Sequence, residues 1–193
     1  MSEAPQKFIF FDRDGTLIID KVYLNDPEQI DYLDGVFEAL SLLRDAGFKF
    51  AVVTNQSGVA RGLVTIENLD EIHRRMSEKF AEYGISFAGF FYAPYSVESN
   101  HFMRKPNPGM LLAAGEKQAI QFDRSWMIGD RATDVEAGHR AGCRTVLLEG
   151  VETSETIAKV KPTFVTSSLL EMAKFIVGSD QTWDSTTSKH VSR

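Results

Sequence analysis

Short apolar runs alternate along this chain with stretches in which apolar residues recur every three to four positions. Phe8-Ile9-Phe10-Phe11 is apolar on both sides of an extended chain and predicts a strand buried on both faces. A helix follows from Gly35 to Asp45, with Val36, Leu40 and Leu43 on one face and Gly47 as its stop. Phe48 to Val53 is a second strand. Thr65 can cap a helix through about Tyr83, with Ile66, Leu69, Ile72, Met76 and Phe80 on one stripe and Gly84 closing it. Phe87 to Tyr92 is a third strand, and Pro108 suits the first turn of the next helix. Trp126 to Ile128 is a short strand, followed by a helix from Thr133 to Ala141 and a strand from Arg144 to Leu148. A last strand lies near Phe164 and a last helix spans Leu169 to Ile176.

Strand–helix alternation predicts an α/β fold, a Rossmann-like three-layer sandwich with a central parallel sheet. Residues 1–177 are expected to form one domain. Residues 178–193 are polar, rich in Ser and Thr, and read as a tail without fixed structure. The stretches from Gly15 to Gly35 and from Gly58 to Gly84 leave no room for a large cap domain. Ligands of such sheets sit beyond the carboxyl ends of the strands. That directs attention to Asp12, Thr54, Ala93 and Asp130, which close four of them.

Composition narrows the picture. The 193 residues are 43% hydrophobic and 25% charged, values of an ordinary globular chain. A net charge of -6 argues against non-specific nucleic-acid binding, which depends on Lys and Arg. It leaves room for a small anionic ligand in a locally basic cleft. Cys143 is the only cysteine, so no intrachain disulfide forms. The start MSEAPQK has no signal-peptide pattern, and no apolar run is long enough to span a membrane. A cytoplasmic protein is expected, a monomer or small homo-oligomer with no membrane partner.

Four segments carry candidate chemistry. Asp12-Arg13-Asp14-Gly15-Thr16 places two carboxylates two apart at a strand end. Such a pair repels itself unless a cation or proton intervenes, and a divalent metal would also neutralise a phosphate. A plain Asx turn stabilised by Gly15 is the other reading of a bare D-x-D. Thr54-Asn55-Gln56-Ser57-Gly58 offers a hydroxyl and successive N–H groups to phosphate oxygens, or is simply a turn. In Arg104-Lys105-Pro106-Asn107-Pro108, Lys105 can present its ammonium to a phosphoryl group and Arg104 can pair with a second anion; a solvated basic loop is the alternative. In Gly129-Asp130-Arg131-Ala132-Thr133-Asp134, Asp130 would lie beside Asp12 if their strands are neighbours, and is a hard oxygen ligand for magnesium. Asp134 either supports that site from behind or is a first-turn helix residue favoured by the dipole.

Together and in this order, these segments resemble the haloacid dehalogenase (HAD) superfamily of phosphohydrolases over roughly residues 7 to 150. The strings Asp12-Arg13-Asp14-Gly15-Thr16, Val53-Thr54-Asn55-Gln56-Ser57-Gly58-Val59-Ala60-Arg61-Gly62 and Arg104-Lys105-Pro106-Asn107-Pro108-Gly109-Met110 are most similar to its histidinol-phosphate and heptose bisphosphate phosphatase group. The resemblance implies an aspartyl-phosphate on Asp12, with Asp14 as general acid and base. It implies Mg2+ held by Asp12, Asp130 and the backbone carbonyl of Asp14, with the phosphoryl group steadied by Thr54 and Lys105. Arg104, Asn55, Gln56, Ser57, Arg61 and the segment Asp20 to Tyr23 would contact the rest of the substrate. One departure stands out. Such phosphatases usually carry a zinc loop of cysteines and a histidine before R-K-P. The stretch from Tyr92 to Met103 has no cysteine and only His101, so no structural zinc is expected.

The expected activity is thus a magnesium-dependent phosphomonoesterase acting on a small phosphorylated sugar, a heptose bisphosphate first and histidinol phosphate second. A catalytically silent phosphate-binding or scaffolding protein is the alternative of another class, and a nucleic-acid end phosphatase a third. Cys143 and Trp126 read as core residues, and His73 and His139 as surface or boundary groups.

Overall fold

The computed structural model describes residues 5–188. Among them, six strands form one all-parallel sheet: β1 (Phe8–Phe11), β2 (Lys49–Asn55), β3 (Phe87–Ala93), β4 (Trp126–Gly129), β5 (Arg144–Leu148) and β6 (Phe164–Thr166). Their spatial order is β3-β2-β1-β4-β5-β6. The helices are α1 (Val36–Asp45), α2 (Ser57–Ala60), α3 (Ile66–Ala81), α4 (Gly109–Lys117), α5 (Ala132–Ala141), α6 (Ser154–Val160) and α7 (Leu169–Ser188).

The apolar run of β1 explains the layers. Successive side chains of a strand point to opposite faces. Ile9 and Phe11 therefore join one core with α1, α3 and α7, and Phe8 and Phe10 join a second with α4 and α5. All four are buried, each contributing about 2 kcal/mol of hydrophobic stabilisation. Trp126 and Cys143 are buried as expected.

β1 is also where the strand order turns. It pairs with β2 on one side and β4 on the other, so that Phe11 stands opposite both Val52 and Ile128. Beyond it, the Asp12 amide donates to the Ile128 carbonyl at 2.8 Å. Crossovers to either side leave a crevice at this point. Residues between Gly15 and Gly35 form short bridges and a 3-10 turn at Pro27–Gln29 rather than a cap domain.

Three elements differ from expectation. β2 runs on through Thr54 and Asn55, and the chain then coils at once into α2 where a turn was expected. α6 was not anticipated; its apolar content is too low for periodicity to mark it. The last helix does not stop at Ile176. Leu169, Met172, Ala173 and Ile176 bury its first turns, and it continues to Ser188, so the polar stretch from Gly178 begins as helix. Residues 189–193 of the expected tail lie outside the described residues.

A tertiary contact accounts for part of that extension. Asp180 is buried and pairs with Lys7, which precedes β1, and with Arg124 at 2.8 Å. The two cations outweigh burial and hold its carboxyl below the usual range. Replacing Asp180 by Asn should lower stability by about 2 kcal/mol, less than for a fully enclosed pair because both partners keep some solvent. Urea unfolding should show the loss at pH 7 and not below the carboxylate range; an unchanged midpoint at pH 7 would contradict the role of this contact.

Candidate functional site

The ends of β1, β2 and β4 and the turn before α4 converge on one cleft. Asp12 follows β1. Its Oδ1 accepts the Arg13 amide at 2.7 Å and faces Lys105 Nζ at 2.9 Å. Lys105 is 2% exposed and is the electrostatic centre of the site. Its ammonium also meets Asp134 Oδ1 at 2.6 Å and donates to the Val53 carbonyl at 2.7 Å. Burial alone would pull its pKa down; Asp12 and Asp134 outweigh that and raise it, so the ammonium stays charged. Asn55, the last residue of β2, anchors the lysine's backbone on both sides, donating to its carbonyl at 3.1 Å and accepting its amide at 3.0 Å.

Asp130 follows β4 beside Asp12. Asp12, Asp130 and Asp134 each offer an oxygen, and these atoms lie within 4.8 Å of one another. Two glycines permit the crowding. A Cβ on Gly15, whose φ is +73°, would stand 2.4 Å from Asp130 Oδ2, and one on Gly129 would stand 2.1 Å from Asp134 Oδ2. Asp134 plays both expected parts: its Oδ2 accepts the Arg131 amide at 3.0 Å to cap α5, and its Oδ1 supports Lys105.

This donor set fits a divalent cation. Asp12 and Asp134 share Lys105, and Asp130 has only the half-exposed Arg131 beside it, so three carboxylates crowd two cations and a divalent ion would relieve the remaining negative charge. Burial and the Asp12 charge push Asp130 up to about 6, and its Oδ1 is buried without a hydrogen-bond partner. Asp134 is also raised, by burial first and by Asp12 and Asp130, in spite of Lys105. Clustered hard oxygens of this kind are what magnesium takes.

Asp14 is held apart from that cluster. Both its oxygens accept from the Nε and Nη2 fork of Arg13 at 2.9–3.2 Å, and Oδ2 also accepts from Gln56 Nε2 at 2.9 Å. Burial raises its pKa and Arg13 opposes the rise without cancelling it. A carboxyl that retains a proton more readily than usual can serve as an acid.

Comparison with known proteins agrees with this geometry. Residues 102–172 match the HAD-hydrolase-like family model, a span that includes Lys105, Asp130 and Asp134. The chain is 35% identical over 182 residues to D-glycero-beta-D-manno-heptose-1,7-bisphosphate 7-phosphatase of Pasteurella multocida, covering 90% of this chain and 98% of that one. It is 37% identical over 147 residues to the Escherichia coli K12 protein of that name, covering 72% and 77%. The crystal structure of D,D-heptose 1,7-bisphosphate phosphatase from B. bronchiseptica, complexed with magnesium and phosphate, aligns with a TM-score of 0.81 at 28% identity, covering 90% of this chain and 99% of that one. This chain belongs to the heptose bisphosphate phosphatase family of HAD-type phosphatases.

In this family member, the cleft has a volume of about 390 Å³. Asp12, Asp14, Asp20, Asn55, Arg104, Lys105, Asp130 and Asp134 line it. Asp20 reaches the rim, where its Oδ1 accepts the Val22 amide at 2.7 Å. Arg104 donates to the Tyr95 carbonyl at 3.0 Å. Other expected substrate contacts lie elsewhere. Gln56 is buried and its amide links Asp14 to Thr54 Oγ1, also at 2.9 Å, so Thr54 sits beneath the cleft wall. Ser57 opens α2. Tyr23 lies against Gly58, with the Arg61 guanidinium 5.9 Å from its ring, outside the cleft lining.

Sequence reasoning missed Arg131, Asn100 and Val97 at the cleft. Arg131 Nη2 is 3.4 Å from Asp20 and its Nε 3.3 Å from Asp130; a cation directly after a strand-end carboxylate was the available signal. His73 is a correction. It is buried, not at the surface, and stacks on Phe90 at 4.8 Å. Its position four after Leu69 and three before Met76 puts it on the apolar stripe of α3. His139 is exposed, as expected.

Protons compete with a cation for Asp130. Magnesium affinity, measured by calorimetry, should level off above pH 7 and weaken by about tenfold per unit below pH 6. A flat profile from pH 5 to 8 would contradict the placement of Asp130 among the ligands.

Proposed function

We propose that this chain is a magnesium-dependent phosphatase that removes the 7-phosphate of D-glycero-β-D-manno-heptose 1,7-bisphosphate through an aspartyl-phosphate on Asp12. The observation that carries the reading is Asp12 Oδ1 held 2.9 Å from the buried Lys105 ammonium, beside a carboxylate oxygen of Asp130 that has no partner. The names of the relatives supply the sugar and its β configuration.

A phosphoryl group entering the cleft meets Lys105 from below. An Asp12 oxygen attacks phosphorus, a new P–O bond forms, and the bond from phosphorus to the sugar oxygen breaks. Asp14 gives its proton to that departing oxygen. In the second step Asp14 takes a proton from water, whose oxygen attacks phosphorus. The Asp12–phosphorus bond breaks, releasing phosphate and restoring the carboxylate. Asp12 and Asp130, with the Asp14 backbone carbonyl, would hold magnesium, which offsets charge on the transferring oxygens. Lys105 supplies the fixed cation, Asn55 fixes its backbone, and Asp134 keeps it aimed. Thr54 stands behind the cleft lining, where it accepts from the Gln56 amide that also holds Asp14.

Arg104 and Arg131 at the rim supply more positive charge than one phosphoryl group needs, which supports a bisphosphate and argues against histidinol phosphate. Asp20 and Asn55 would contact the sugar, while Tyr23, Ser57 and Arg61 lie outside the cleft lining. The loop before Arg104 is tied without metal ligands: Tyr95 stacks on His101 at 3.5 Å, and Asn107 donates to the His101 carbonyl at 3.2 Å. Those ties support a loop that needs no zinc. The single buried thiol, Cys143, supports a reducing, cytoplasmic setting.

A turnover screen with magnesium over sugar mono- and bisphosphates, histidinol phosphate and 3′-phosphorylated DNA should favour the heptose bisphosphate. Acid-quenched enzyme should carry phosphate on the Asp12 peptide by mass spectrometry. Asp12→Asn should lose turnover by about 10⁴-fold or more and carry no phosphate. Retained hydrolysis would overturn the mechanism, and a preference for DNA or histidinol phosphate would overturn the substrate.

A further inference from the structure

Arg13 and His73 are buried ionisable groups for which the reaction as described has no use. Arg13 is 1% exposed, and an enclosed guanidinium is costly unless its N–H groups find acceptors. Its Nε and Nη2 fork onto Asp14. Its Nη1 lies 3.4 Å from His73 Nε2 in a buried contact. A guanidinium only donates, so His73 Nε2 must be the unprotonated, accepting nitrogen. Burial, and then the Arg13 charge, push the His73 pKa down to about 3, so the ring is neutral at neutral pH, and the Arg13 contact selects the tautomer whose proton is on Nδ1.

We infer that His73 is a positioning residue for the acid–base group, fixing Asp14 through the Arg13 guanidinium. The inference rests on the role proposed above for Asp14. Its physical content is a continuous chain of contacts from α3 and β3 to Asp14. The His73 ring stacks on Phe90 at 4.8 Å and lies 5.9 Å from Tyr92, so α3 and β3 set its plane. The ring sets the direction of Nη1, and because the guanidinium is planar, that fixes the fork carrying Nε and Nη2. The fork holds both Asp14 oxygens from one side, and Gln56 holds Oδ2 from another. An acid–base group must stay within hydrogen-bond reach of the oxygen it serves, and an error near 1 Å costs about 100-fold in rate. His73 thus limits the drift of Asp14 from a separate layer of the fold, without touching substrate or metal.

Three variants separate this role from simple packing. His73→Leu and His73→Phe fill the space without an acceptor, whereas His73→Gln returns an acceptor oxygen. On heptose 1,7-bisphosphate, His73→Leu and His73→Phe should lose about 10- to 100-fold in kcat with KM within about threefold. Glutamine should recover most of the loss. Nitrophenolate leaves without needing a proton, so the burst of p-nitrophenol from p-nitrophenyl phosphate should slow by less than about threefold. Equal losses on both substrates, a loss confined to KM, no loss, or a glutamine variant as slow as leucine would overturn the inference. Loss of folded circular dichroism in all three variants would assign His73 to packing and overturn it as well. Asp14→Asn, measured alongside, separates the two readings. If it hydrolyses heptose bisphosphate at the wild-type rate, the role of Asp14 fails. If it is inactive while His73→Leu and His73→Phe match wild type, only the role of His73 fails.

Discussion

The Lys105 ammonium, enclosed among Asp12, Asp134 and the Val53 carbonyl, is the interaction on which the site depends. A buried charge is tolerated only where opposite charges and acceptors surround it. Each neighbour comes from a different part of the fold: Asp12 from the end of β1, Val53 and Asn55 from β2, and Asp134 from the first turn of α5. The sheet order brings those parts together, because β1 lies between β2 and β4 and its end opens on the crevice where the crossovers diverge. The same constraint leaves an excess of carboxylate at Asp12 and Asp130. Burial and then the Asp12 charge raise Asp130, and a divalent cation would relieve both.

The site separates two kinds of acid by pairing. Asp12 faces a lysine and the metal cluster, whereas Asp14, two residues on, turns to Arg13 and Gln56. Two carboxylates so close in sequence reach different electrostatic surroundings, which is what the proposed division into nucleophile and proton carrier requires. The near-complete burial of Arg13, beneath a reactive strand end, follows from the need to hold Asp14 on its own side.

Much of this was legible in the sequence. The ends of β1 and β4 were marked by the change from apolar runs to Asp12 and Asp130, Thr54 fell one residue short of the end of β2, and the D-x-D, T-N-Q-S-G and R-K-P strings carried the family resemblance. Asp130 lies beside Asp12, and Lys105 reaches the same cleft. What escaped it depended on direction rather than position. Gln56 lies within a recognisable string, yet its amide turns inward to Thr54 and Asp14. His73 was read by its polarity instead of by its place on the stripe of Leu69, Ile72, Met76 and Phe80. The end of α7 was hidden because apolar periodicity stops at Ile176, while Asp180 is held by Lys7 and Arg124, more than fifty residues away along the chain. Long-range pairing of charges leaves no periodic trace.

The central claim is that Lys105 is the fixed cation of phosphoryl transfer and not merely a structural counter-ion. Replacing Lys105 by Met in magnesium-saturated enzyme tests it most directly. Magnesium binding should be kept or strengthened, since a competing positive charge is gone, while kcat should fall by about 10³-fold. Hydrolysis within tenfold of wild type, with magnesium bound, would contradict it.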